Sequence, residues 1–360
     1  MTIKPSLNWL LAFVPVTLLL EKSHAAPPLI FFSAALAIIP AAHLIVEATE
    51  HIARRTGDAI GGLLNATFGN APELIIAAVA LKAGLLDMVR ASIIGAILAN
   101  LLLALGASLF LNGLKQKDAE FNAGAARVYG SMMLLAVISL IVPSAFGRFF
   151  TADEYLPQVR SLNLALAFVL LAAYVLYLFF QIRTHPHLFK SKDSGGHESH
   201  GPGWSMPRAV GSLVAASVLA AWMSEILVGA AEGTGQALGM SQAFIGMVVV
   251  AVVGGAAESL SAVGSARKGK LDLTMGIVFG SCIQIALFVA PVLVLLSKVI
   301  APQPLDLTFG RAELGALFLA VLIGLQVSSD GRSNWFKGAQ LLAVYAMIAM
   351  MFYFVPQLAQ

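Results

Sequence analysis

Cysteine is nearly missing from this chain. Cys282 is the only one, so no intramolecular disulfide can form and the redox compartment goes unread. Charge is scarce too: Asp, Glu, Lys and Arg make up 11% of 360 residues against 59% hydrophobic. With a mean hydropathy of +0.85, that balance excludes the soluble globular range and falls within that of polytopic membrane proteins. The pI near 9.0 and net charge of +3 could suggest a nucleic-acid partner. The basic residues, however, sit in short loops between apolar runs, so membrane topology accounts for them and no nucleic acid is expected.

What the chain does have is a series of apolar segments of about membrane-spanning length, on the order of 20 residues. They fall near Leu7 to Leu20, Pro28 to Thr49, Ala59 to Lys82, Ala91 to Leu111, Ala125 to Ala145 and Leu162 to Phe180, then Ala209 to Ala231, Met240 to Ala266, Leu273 to Ser297, Leu314 to Val327 and Trp335 to Val355. The expected fold is therefore an all-α polytopic membrane protein of about eleven transmembrane helices. It divides into a leader over 1–24, a first five-helix repeat over 25–180, a linker over 181–208 and a second five-helix repeat over 209–360. The leader reads equally as a short first helix or as a secretory signal ending at Ser23-His24-Ala25.

The linker is the one long polar stretch. Its His185, His187, His197 and His200 invite a metal-binding reading, but they lack ordered ligand spacing, and a solvated linker is expected. Threading the helices from the first residue puts fifteen of the 22 Lys and Arg on the side of the N-terminus and the linker, and seven opposite. That asymmetry predicts both to be cytoplasmic and the C-terminus to lie outside, in a bacterial plasma (inner) membrane. Five spans per half make the repeats inverted, the pattern of transporters whose broken helices enclose a site near the midplane.

The centre of each half is a carboxylate inside an apolar run. Gly69-Asn70-Ala71-Pro72-Glu73 and Gly254-Gly255-Ala256-Ala257-Glu258 superpose without a gap at an offset of 185 residues, which also matches Lys82 with Arg267, Gly84 with Gly269, Asp87 with Asp272 and Gly95 with Gly280. Gly69 and Pro72 in one copy, and Gly254 and Gly255 in the other, are expected to break the helix, with a new half-helix starting at Pro72. Such breaks would leave free carbonyls facing a cavity. Two antiparallel copies would bring Glu73 and Glu258 together in an oxygen-only site with Asn70, Asn100, Ser281 and Gln284. Hard divalent cations choose such ligands, and zinc or copper do not. The plainer alternative for each Glu is an interhelical hydrogen bond.

Other polar residues lie within the apolar runs. His43, Glu47, Glu50 and His51 share one helical face near the linker side, and Glu225 and Glu232 lie toward the other side. These glutamates are expected as acidic mouths or a proton relay, with Glu47 and Glu225 the deeper pair. Two rivals from other classes are a membrane metalloenzyme using His43 and His51, which would need a second His or Cys helix, and a cation channel with acidic rings.

The run GGLLNATFGNAPELIIAAVALKAG, followed by RASIIGAILANLLLALG, closely resembles the first signature of the cation/proton exchanger (CAX) family of the calcium/cation antiporter superfamily. GGAAESLSAVGSARKGKLDLTMGIVFGSCIQIALFVAP resembles its second, and SEILVGAAE extends the likeness. The resemblance implies a secondary antiporter, not an enzyme, exchanging Ca2+ for H+ with no cofactor. Glu73 and Glu258 would bind metal or proton, with Asn100, Ser281 and Gln284 nearby. Sodium/calcium, manganese/proton and sodium/proton exchange are the alternatives within the superfamily. The chain departs from the family at Gly255, where relatives usually carry Asn, and at Ser259, where they carry His. The acidic helix of some relatives' central loop is also missing, since Asp193 and Glu198 are the linker's only acidic residues.

Overall fold

The computed structural model describes residues 7–56, 61, 63–64, 67–149, 156–189 and 203–354, nearly all of them helical. In the first half, α1 (Phe13–Lys22) leads into α2 (Pro27–Thr56), α3 (Ala71–Lys82), α4 (Leu86–Gly113), α5 (Ala123–Phe149) and α6 (Leu156–Phe179). The second half holds α7 (Met206–Leu238), α8 (Gln242–Gly254), α9 (Ala256–Arg267), α10 (Leu271–Ile300), α11 (Arg311–Ser328) and α12 (Trp335–Phe354). Among the described residues the only sheet is a two-residue antiparallel pairing of β1 (Ala119–Glu120) with β2 (Arg332–Ser333).

Eight helices among the described residues are long and apolar enough to cross a membrane, and α8 with α9, bent by 57°, makes a ninth. This does not establish the expected count of eleven. The leader helix α1 has only 10 residues, and the expected span from Ala59 to Lys82 lies partly outside the described residues. His197 and His200 of the linker also lie outside them.

The internal repeat is plain in the backbone. At the 185-residue offset α3 falls residue for residue on α9, and the start of α4 falls on the start of α10. Each short helix ends on a glycine with positive φ, 80° at Gly84 and 78° at Gly269, the left-handed turn that lets a helix stop and reverse. The closing hydrogen bonds match as well: Leu85 N–H donates to Ala80 O, and Lys270 N–H to Ser265 O, both at 3.0 Å. Further along, α4 and α10 each widen into a π-turn, at Ala99–Ala104 and Ile285–Val289.

The two hairpins lie at opposite ends of the bundle. Helix α10 starts beside Gly269 and ends just before Pro302, and Pro302 packs against Gly84. Its 30 residues rise about 45 Å at 1.5 Å each, so the repeats are inverted. Asn122, whose N–H donates to Asp272 at 2.6 Å and whose side chain donates to Leu188 O at 3.0 Å, gathers the loops on the Gly269 side. That side also carries the linker and is called the linker face.

Helix α4 and the π-turn Ile245–Val250 within α8 cross with their backbones nearly touching. A Cβ on Gly95 would land on the Met247 carbonyl, and one on Gly246 on the Met88 carbonyl. Gly229 of α7, in contrast, has no described atom within 4 Å of its would-be Cβ. Gly95→Ala and Gly246→Ala are therefore each expected to destabilise the protein by about 1–3 kcal/mol or more, read as thermal unfolding in detergent. Gly229→Ala is expected to change stability by less than about 0.5 kcal/mol. Wild-type stability in the Gly95 variant would contradict the close crossing.

Candidate functional site

The site is built where the two breaks face each other. Helix α3 begins at Ala71, one residue before the expected Pro72, and the proline sits in its first turn, where a missing N–H is harmless. Asn70 occupies the cap position but makes no capping bond. Its Oδ1 instead accepts from the Ser281 hydroxyl at 2.7 Å, and Asn100 Nδ2 donates to the same hydroxyl oxygen at 2.9 Å. Ser281 on α10 thereby ties the first-half break to α4. Gln284 Nε2 donates to Thr67 O at 3.3 Å. One of the carbonyls expected to stand free is therefore taken, because α10 brings an amide within reach of it.

At the second break Gly255 has φ −78° and ψ 7°, close to the −96° and 28° of Asn70. Neither value requires glycine. What glycine supplies is room: a Cβ at 255 would lie 3.5 Å from Glu73 Oε1 and 3.8 Å from Asn100 Oδ1, ordinary contact distances. At Gly254 the fit is tighter, 3.1 Å to Glu73 Cγ. The carboxylate of the first repeat thus lies across the break of the second. Glu73 and Glu258 each stand in the first turn of a helix, where the exposed amides favour negative charge.

Both Glu73 carboxylate oxygens, Glu258 Oε2 and Asn70 Nδ2 are buried without a hydrogen-bond partner among the described residues. A buried polar group left without a partner is costly, and a carboxylate most of all. Proton or cation is the chemistry that satisfies such oxygens, and the surrounding donor set is entirely oxygen and amide. Among the described residues no group of three or more His, Cys, Asp or Glu is placed to hold a metal.

The two glutamates meet unequal spaces. Glu73 borders a cavity of about 20 Å³ walled by Ile76, Ile93, Val250 and Leu293. Glu258 borders one of about 420 Å³ with Glu50, Tyr177, Gln181, Ser281 and Gln284, on the linker face. The repeat partners Gly95 and Gly280 show the same asymmetry, since Gly95 is pressed on Met247 while Gly280 lines the larger cavity with no described atom within 4 Å of its would-be Cβ.

The other singled-out residues are placed as follows. Glu50 lines the larger cavity and lies 3.3 Å from Arg54, while Glu47 is half-buried on the same helix. Glu225, expected deep, is instead exposed, because its face of α7 passes the end of α3 and pairs with Lys82 at 3.7 Å. Glu232 is exposed and accepts from Gln236 at 3.4 Å. At the repeat offset its partner is Glu47. His51 stacks on Trp204 at 4.7 Å, with the Arg208 guanidinium 4.8 Å from the same indole. His185 stacks on Phe180 at 4.3 Å. Sequence reasoning missed Tyr174, Tyr177 and Gln181 as cavity walls. Their 3 and 4 spacing marks one helical face, but at the end of an apolar helix it reads as an interfacial belt.

Residues 26–183 and 208–354 match the family described as sodium/calcium exchanger protein. The chain is 42% identical to the Ca(2+)/H(+) antiporter of Aphanothece halophytica, covering 96% of each. It is 39% identical to the Ca(2+)/H(+) antiporter ChaA of Bacillus subtilis, covering 95% of this chain and 97% of the relative. The solved structure of native YfkE superposes with a TM-score of 0.84 at 36% identity, over 97% of this chain and 100% of that one. The likeness read from the two signatures is borne out. With both repeats matched and the identity running along nearly the whole length, the chain belongs to the sodium/calcium exchanger protein family.

Proposed function

We propose that the protein exchanges Ca2+ for H+ across a membrane by alternating access, with Glu73 and Glu258 binding either the cation or protons. The observation that carries this reading is the set of buried carboxylate oxygens to which no described residue gives a hydrogen bond. Relatives named as Ca2+/H+ antiporters, 39–42% identical over nearly the full length, support the choice of ions.

Exchange follows from charge. An ionised carboxylate pair deep in an apolar bundle is unfavourable alone. A divalent cation neutralises both groups, and so do two protons. The loaded or the protonated site can change its exposure, while the empty charged site is held back, and that exclusion couples the two ions. Asn70, Asn100, Ser281 and Gln284 supply neutral oxygens beside the pair. With Gly255 offering no side-chain oxygen, the remaining coordination falls to water or backbone carbonyls, which suits Ca2+, with about 6–8 oxygens in flexible geometry, better than Mg2+ with its near-octahedral demand.

Access follows from the inverted repeat. The site opens to the linker face through Glu258 and is shut toward the other face at the Gly95 crossing. Exchanging the roles of the two repeats would close around Gly280 and open around Gly95, presenting Glu73 to the opposite side. By the excess of basic residues the linker face is cytoplasmic and the C-terminus is outside, and the bacterial relatives support a bacterial inner membrane.

Glu73→Gln and Glu258→Gln are each expected to fold and yet to abolish proton-coupled Ca2+ transport in vesicles, by at least about 100-fold, since glutamine keeps the shape but cannot change charge. Robust coupled transport by either variant sinks the assignment. The unequal breaks give a second expectation. A Cβ at 255 meets Glu73 and Asn100 at ordinary contact distances, and Gly255→Asn should tighten the half-saturating Ca2+ several-fold, whereas Asn70→Gly, which loses the Ser281 acceptor, should weaken it. If Gly255→Asn destroys transport while Asn70→Gly is neutral, these positions serve packing and the ligand shell is wrong there.

A further inference from the structure

Tyr177 is a residue that the charge argument above does not use. It lies near the end of α6 and is 6% exposed. Its ring sits 6.4 Å from that of Tyr174, and it lines the larger cavity together with Glu258 and Glu50. Its hydroxyl is buried and makes no hydrogen bond to any described residue. Packing alone does not explain that oxygen, because phenylalanine would fill the same ring space without burying an unpaired polar group. Glu258, which also lines the cavity, carries a buried carboxylate oxygen with the same lack among the described residues, Oε2. One residue is neutral and the other a carboxylate, and they come from α6 and α9 to line one volume.

We propose that Tyr177 is the linker-side positioning residue for exchange, its hydroxyl being the neutral oxygen that the hydrated cation, or the water carrying a proton, meets before Glu258. This rests on the exchange reading above. A phenol can donate one hydrogen bond and accept others without changing charge. It can therefore take the place of a water of hydration as a divalent cation sheds its shell, and hold a water in line with Glu258 when protons arrive. Gln181 and Gln284 on the same cavity wall are neutral donor–acceptors of the same kind. Among the described residues no lysine or arginine lines this cavity, so none of them opposes a cation there. The opposite side has no counterpart: the walls of the small cavity at Glu73 carry no tyrosine, and Ser92 is their only neutral hydroxyl. The role is therefore specific to one side.

The test is Tyr177→Phe, with transport measured in inside-out and right-side-out membrane vesicles and thermal stability measured alongside. Expected is a rise of about 3- to 10-fold in the half-saturating Ca2+ on the linker side and a shift in the pH profile of exchange from that side. On the opposite side half-saturation should stay within about twofold, and stability should be equal to or above wild type. A merely structural hydroxyl would move both sides together or lower stability, and either result overturns the proposal, as does an unchanged linker-side half-saturation. Wild-type vesicles measured in parallel separate this outcome from failure of the exchange reading, in which no proton-coupled Ca2+ movement would occur at all.

Discussion

Two glutamates, Glu73 and Glu258, with buried carboxylate oxygens that no described side chain or backbone amide satisfies, are the constraint on which the rest of this structure depends. Leaving either one ionised and alone in an apolar bundle costs several kcal/mol. The fold must therefore present them in a form that a proton or a cation completes. The breaks do this: each ends a helix just ahead of its glutamate, so the carboxylate stands at a helix start, and that of Glu73 lies across the second repeat's break. Ser281, bonded to both Asn70 and Asn100, holds the first break against α4 and α10.

The second constraint is the inverted repeat. Helices α3 and α9 share length, capping glycine and closing hydrogen bonds, yet their surroundings differ. Gly95 is clamped at a backbone crossing and its partner Gly280 borders open space. Identical local geometry in unequal environments is what two interchangeable states of one site require. The close crossing has room only for glycine, so it is a contact that is either made or absent.

Much of this was legible in the sequence because the repeat is gapless around the glutamates. Glu73, Glu258 and their neighbours Asn70, Asn100, Ser281 and Gln284 fall where matched positions and the second-signature residues put them. Other features depend on packing between distant segments. Depth along α7 could not be read from hydropathy: Glu225, expected deeper than Glu232, is exposed and pairs with Lys82. The cavity wall of Tyr174, Tyr177 and Gln181 was invisible for the same reason, since one helical face of polar residues says nothing about the helix it will meet. The capture of the Thr67 carbonyl by Gln284 needs contact across 217 residues, beyond any local pattern.

The central claim is that cation and proton occupy the same pair of glutamates in turn. The most direct measurement loads proteoliposomes with acid, clamps the membrane voltage, and follows Ca2+ entering from a neutral medium without any Ca2+ gradient. The account predicts accumulation above the outside concentration, matched by proton release and collapsing when the pH gradient is dissipated. Ca2+ entry that is indifferent to the pH gradient, or accumulation driven by a sodium gradient in its place, would contradict it.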